Sequence, residues 1–186
     1  MFKKFFSFIF EVLKVVLISL AIIIPVRYFL IQPFYVRGAS MEPNFHDYEY
    51  LIIDEISYRF NEVERGEVIV FRYPKHPQEY FIKRVIAVPG ETVKIKNGLV
   101  YVYNQENPRG FILDENYLPN NTKTHGLEGK EVELKEDEYF VLGDNRDSSK
   151  DSRSFGAVNK SFIIGKVWIR GWPLDKAEIF KYNINY

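Results

Sequence analysis

The chain has 186 residues, 46% of them apolar and 17% aromatic, with 25 Lys+Arg against 25 Asp+Glu and no cysteine. Sixteen Phe and thirteen Tyr exclude an intrinsically disordered chain and supply a sizeable core, and the length fits a single domain. The missing cysteines exclude disulfide scaffolds, thiol catalysis and thiolate metal sites, and the neutral charge balance argues against a nucleic-acid binder.

That neutrality averages two unlike parts. Residues 1–31 carry Lys3, Lys4, Lys14 and Arg27 against Glu11, a net +3, which leaves −3 for the remainder. Residues 5–26 read FFSFIFEVLKVVLISLAIIIPV, broken only by Glu11 and Lys14. At ~1.5 Å per residue this makes a helix of ~33 Å, close to the ~30 Å of a bilayer core. A cleaved signal peptide would need small residues after the apolar run, whereas PVRYFLIQPFYVRG follows. A buried core helix would show a polar stripe, and residues 15–26 have almost none. Lys3 and Lys4 favour a cytoplasmic N-terminus, which places the bulk of the chain across the membrane. The predicted organisation is a stub and transmembrane anchor at 1–31 and an extracytoplasmic domain at 32–186.

After Pro33 the pattern changes to short alternating or apolar runs, predicting strands at 48–53, 67–72, 80–88, 138–142 and 162–170. Asn97-Gly98 between TVKIK and LVYVY is a type I′ hairpin signature. Residues 104–130 are rich in Asn, Gly, Pro, Lys and Glu and read as a long excursion, a loop or cap with little core of its own. The expected fold is mainly β: a transmembrane helix, then an antiparallel, barrel-like sheet domain with a variable insertion at 104–130.

Three histidines, His46, His76 and His125, stand in loop-like settings without metal-ligand spacing, and no Gly-rich phosphate loop is present. No metal, cofactor or nucleic acid is expected. What remains is a serine served by a lysine. Ser40 lies in VRGASMEPN, where Gly38, Ala39 and Pro43 indicate a tight turn; alone, such a serine is an ordinary hydrogen-bonding residue. Lys83 interrupts YFIKRVIAVPGE, an otherwise buried strand in which alternation puts Phe81, Lys83, Val85 and Ala87 on one face and Ile82, Arg84 and Ile86 on the other. Burial would lower its pKa and leave an amine able to take a proton near neutral pH. An edge-strand lysine reaching water is the alternative. The third feature is VLGDNRDSSKDSRSFG at 141–156, either a solvated turn or a rigid polar network.

Three blocks, PFYVRGASMEP (33–43), FIKRVIAVPGE (81–91) and GDNRDSSKDSRSFG (143–156), resemble the type I signal peptidase family of membrane-bound Ser-Lys endopeptidases; RGEVIVFRYP (65–74) is a weaker match. The resemblance implies Ser40 as nucleophile, Lys83 as general base and Ser149 as the hydroxyl orienting the lysine amine. Arg84, Asp144, Arg146, Asp151 and Arg153 match the supporting charged positions, with Asp144 paired to Arg84. Val36 and Ile82 match shallow substrate pockets that take small side chains at the first and third positions before the cut. The implied partners are preprotein signal peptides and the lipid bilayer, at the plasma membrane. Two departures stand out. Gly38 replaces a serine that supplies an oxyanion-hole hydroxyl in some members, so a backbone N–H or water must serve. Asn44 replaces the common threonine after the SMxP proline. Other readings are a self-cleaving soluble Ser-Lys peptidase, an organellar inner-membrane peptidase and a tethered β domain that binds peptides without cutting them.

Overall fold

The computed structural model describes residues 2–29, 31–127 and 129–182. The expected anchor 1–31 includes residues 1 and 30, and the expected domain 32–186 includes 128 and 183–186, which lie outside that description. Helix α1 runs Phe2–Phe29. Within it Lys4–Ile24 is long and apolar enough to cross a membrane, with mean hydropathy 2.5 and no part buried against the rest of the chain. Apolar side chains from Phe5 to Ile24 are exposed around the helix, the pattern of a helix whose solvent is lipid.

The strands in chain order are β1 (Ile31–Tyr35), β2 (Tyr50–Asp54), β3 (Val68–Arg72), β4 (Tyr80–Ala87), β5 (Thr92–Lys96), β6 (Leu99–Tyr103), β7 (Phe111–Ile112), β8 (Glu131–Glu133), β9 (Glu138–Leu142), β10 (Val158–Asn159), β11 (Ile163–Trp172) and β12 (Glu178–Ile179). A short helix, α2 (Ser152–Phe155), precedes β10. All pairings are antiparallel. The larger sheet runs β1-β2-β11-β3-β4-β9-β10, with β12 on β11, and the smaller runs β7-β6-β5-β8. Among the described residues neither sheet returns on itself, so the barrel-like domain expected from sequence is an open antiparallel architecture.

The core follows from alternation. In β3, VIVFR, Val68 and Val70 join one apolar cluster with Met41, Phe45, Leu51, Ile53 and Val167. Ile69 and Phe71 join another with Val85, Tyr139 and Val141. Covering both faces of β3 explains its unbroken apolar run. A third cluster joins Ile86, Ala87, Phe140 and Leu142 to Val93, Ile95, Val100 and Val102 of the small sheet. The expected alternation along β4 therefore fails at its end: Ala87 leaves the face of Phe81 and Val85. A bulge between Val85 and Ala87, opposite β9, shifts the register and re-aims the side chain. At the hairpin, Asn97 and Gly98 have φ of 53° and 78°, as a type I′ turn requires.

Candidate active site

Ser40 sits in the turn that leaves β1. Val36 N–H donates to Glu49 O at 2.9 Å, and Phe45 N–H to Met41 O at 2.9 Å. Met41 and Phe45, each 1% exposed, anchor the turn in the core while Ser40 stays half-buried. Gly38 has φ +90°, a conformation that favours glycine. Its N–H donates to Asp47 Oδ1 at 2.9 Å, so that donor is committed in this structure.

Lys83 is buried, 3% exposed, on β4 between β3 and β9. Its Nζ lies 2.7 Å from Ser40 Oγ and donates to Ile82 O at 2.7 Å. Among the described residues no carboxylate forms an ion pair with it. Burial pushes the amine's pKa down to about 8, against the opposing pull of the Asp151 and Asp144 charges. A Ser-Lys pair 43 residues apart in sequence is thus brought into hydrogen-bonding reach.

Arg84, the next residue, keeps its charge. Its Nε and Nη2 donate to Asp144 Oδ1 and Oδ2 at 2.9 and 2.6 Å, and Nη1 donates to Gly66 O at 2.9 Å. This is a bidentate, charge-assisted pair out of water. Burial opposes the guanidinium charge, but the bonds to Asp144 and its field outweigh burial and raise the pKa. Asn44 Nδ2 donates to Asp144 Oδ2 at 2.8 Å and to Tyr117 O at 2.9 Å, so both amide protons at the departing position are used. Arg146 donates through Nε to Gly143 O at 3.0 Å and through Nη1 to Glu115 Oε2 at 3.0 Å, and also contacts Thr124 Oγ1. Asp151 accepts from Arg153 Nε and Nη2, both at 2.8 Å, accepts from Gly143 N–H at 3.1 Å and caps α2. The 143–156 segment is a rigid polar network. Asn145 fastens it to the serine turn, with N–H to Ser40 O at 3.1 Å and Nδ2 to Ala39 O at 3.0 Å.

Ser149 also lies in this segment. Its Oγ is buried and makes no hydrogen bond; it packs against Gly143, where a Cβ would overlap both Ser149 Oγ and Ser40 O. The lysine amine takes Ile82 O and Ser40 Oγ instead of this hydroxyl. The sequence reading also gave no site role to Glu115, Tyr117 and Thr124, from the 104–130 excursion. No local pattern marks them, because the bonds that tie them to Arg146 span 22 to 31 residues.

Ser40 and Lys83 open onto a cleft of about 400 Å³. Val36 and Ile82 line it with Leu51 and Val70, as do Phe34 and Tyr35. Arg37, Tyr80, Phe81 and Lys150 complete the lining, so this is a largely apolar groove in which the Ser40 hydroxyl and the Lys83 amine converge.

Comparison with known proteins identifies the family. The family described as signal peptidase, peptidase S26, matches residues 9–172. The chain is 36% identical over 174 residues to a probable signal peptidase I-2 of Synechocystis sp., covering 91% of this chain and 76% of that protein. It is 36% identical over 185 residues to signal peptidase IB of Staphylococcus aureus, covering 90% of each. A solved signal peptidase I from Enterococcus faecalis is 29% identical, with a TM-score of 0.44 over 57% of this chain and 97% of that one. The chain belongs to the signal peptidase family, peptidase S26.

Proposed function

We propose that the chain is a membrane-tethered signal peptidase I that removes signal peptides from preproteins through a Ser40–Lys83 dyad and an acyl-enzyme. The observation that carries this reading is the buried, carboxylate-free Lys83 amine 2.7 Å from Ser40 Oγ. A serine hydroxyl becomes a useful nucleophile only when a base takes its proton. A desolvated amine whose pKa sits near neutrality is such a base. With one N–H on Ile82 O, neutral Lys83 turns its lone pair to the Ser40 hydroxyl.

Lys83 takes the Ser40 proton as Oγ attacks the scissile carbonyl. The resulting oxyanion meets the backbone N–H of Ser40, since Gly38 N–H is held by Asp47. Protonated Lys83 then gives its proton to the leaving amine. The lysine next takes a proton from water, whose oxygen attacks the acyl-enzyme, and returns that proton to Ser40 Oγ as the acyl bond breaks. Ser149 Oγ, buried and unpaired, is the hydroxyl that would accept a hydrogen bond from the charged lysine between these steps. Arg84, Asp144, Arg146, Asp151 and Arg153 hold the walls. Val36 and Ile82 admit only small side chains at the first and third positions before the cut.

The anchor supplies the substrate. With residues 1–31 inserted, the N-terminus cytoplasmic and 32–186 outside the plasma membrane, Ser40 sits a few residues beyond the bilayer. A signal peptide threaded through the same bilayer is thereby raised in effective concentration. The test is incubation of the full chain in detergent with a secretory precursor, followed by N-terminal sequencing. One new N-terminus after a small-x-small sequence is expected; an intact precursor would overturn the reading.

A further inference from the structure

We infer that Tyr117 is a positioning residue for this reaction: it ties together the three chain segments that carry Ser40, Lys83 and the 143–156 loop. The inference rests on the Ser40–Lys83 reading and gives residues 104–130 a task.

Each part of Tyr117 engages a different segment. Its backbone carbonyl accepts from Asn44 Nδ2 at 2.9 Å, four residues after Ser40 in the same turn. Its ring lies 4.0 Å from the Arg84 guanidinium carbon, beside Lys83 on β4. Its hydroxyl accepts from Arg146 Nη2 at 3.1 Å and donates to Glu115 Oε1 at 2.7 Å. Burial and the Glu115 charge hold that hydroxyl's pKa well above the ordinary phenol value, so it stays a donor. Glu115 in turn pairs with Arg146, whose side chain is 1% exposed.

The partners converge on one carboxylate. Asn44 and Arg84 both donate to Asp144, and Tyr117 contacts both donors. The ring covers the Arg84 guanidinium, and exclusion of water there strengthens its pair with Asp144. Removing the ring admits water to Arg84 and loosens β4 relative to the serine turn. A misplacement of ~1 Å at a reacting pair costs on the order of 10²-fold in rate. Tyr117 belongs to none of the three apolar clusters, so its truncation spares the core.

The test compares Tyr117→Ala, Tyr117→Phe and, as a control, Asn116→Ala in the full chain. Asn116 is exposed and bonds only Asp114. Tyr117→Ala is expected to lower kcat about 10²-fold with KM within about twofold. Tyr117→Phe keeps the ring and the backbone carbonyl and should recover kcat to within about threefold of wild type, and Asn116→Ala should match wild type. Hydrogen exchange at Arg84 Nε, read by NMR, should quicken in Tyr117→Ala and not in Tyr117→Phe, whatever the activity. A Tyr117→Ala enzyme with unchanged kcat, a loss confined to KM, or a Phe variant as damaged as the Ala variant would overturn the inference. Failure of the wild type to cut, with the Arg84 signal responding as expected, would count against the dyad reading and leave the tie standing.

Discussion

The two faces of β4 each bury a cation and treat it oppositely. Arg84 meets a carboxylate in bidentate geometry, a backbone carbonyl and an aromatic ring, and its charge is stabilised. Lys83, one residue earlier, meets a hydroxyl and a carbonyl and no paired carboxylate, and burial drives its pKa down to about 8. Adjacent residues with similar burial thus acquire opposite properties from their partners: Arg84 is braced in its charged form, and Lys83 is the group to which the proposed mechanism assigns proton exchange. Asp144 and Asp151 lie near enough to act on Lys83 through their fields, yet each is held by an arginine. The arginines keep those carboxylates from fixing the lysine in its charged form.

Five substitutions at three positions break or sharpen this contrast. The largest effect is expected at the dyad, where Ser40→Ala, Lys83→Ala and Lys83→Arg should each lower precursor cleavage about 10⁴–10⁶-fold with the fold retained, measured by single-turnover kinetics and circular dichroism. Lys83→Arg is the informative variant, because a guanidinium holds its proton at any working pH. On the other face, Asp144→Ala leaves Arg84 buried and unpaired and should cost about 3–5 kcal/mol of stability in denaturant melts.

The smallest effect concerns stability. Lys83 has a depressed native pKa, so between about 8 and the unfolded value of 10.5 the unfolded chain binds more protons than the native one. The contribution of Lys83 to stability should therefore rise across that window, and comparison with a neutral variant separates it from the buried tyrosines, whose raised pKa values act in the opposite sense near the upper end. Lys83→Met removes the cost of burying the charge, so it should be more stable than wild type by roughly 3 kcal/mol below pH 8. That advantage should shrink to nothing by about pH 10.5.

Much of this was legible in the sequence because local rules were consistent. Strands β2 to β6, β9 and β11 follow runs of alternating or continuous apolar residues, and Asn97-Gly98 fixed the hairpin turn. Strand β1 was hidden by Pro33 and by its closeness to the membrane segment; it pairs on one side only, with β2, and an edge tolerates proline. The Ser40, Lys83 and Arg84 positions followed from an ordered set of motifs. The geometry added what motifs do not encode: the Gly38 N–H committed to Asp47, Ser149 without a bond, and the clasp of Glu115, Tyr117 and Thr124 on the arginine network. Contacts between a loop and a distant loop leave no periodic trace, so a segment poor in core residues reads as empty although its polar groups close the site.

The most direct measurement is an NMR titration of Lys83 with its side chain labelled at the ε carbon, in the full chain in detergent micelles. The account predicts a midpoint of about 8, with the acid limb of kcat/KM falling over the same range. A midpoint of about 10 or above, the range of an ordinary solvated lysine, would contradict it.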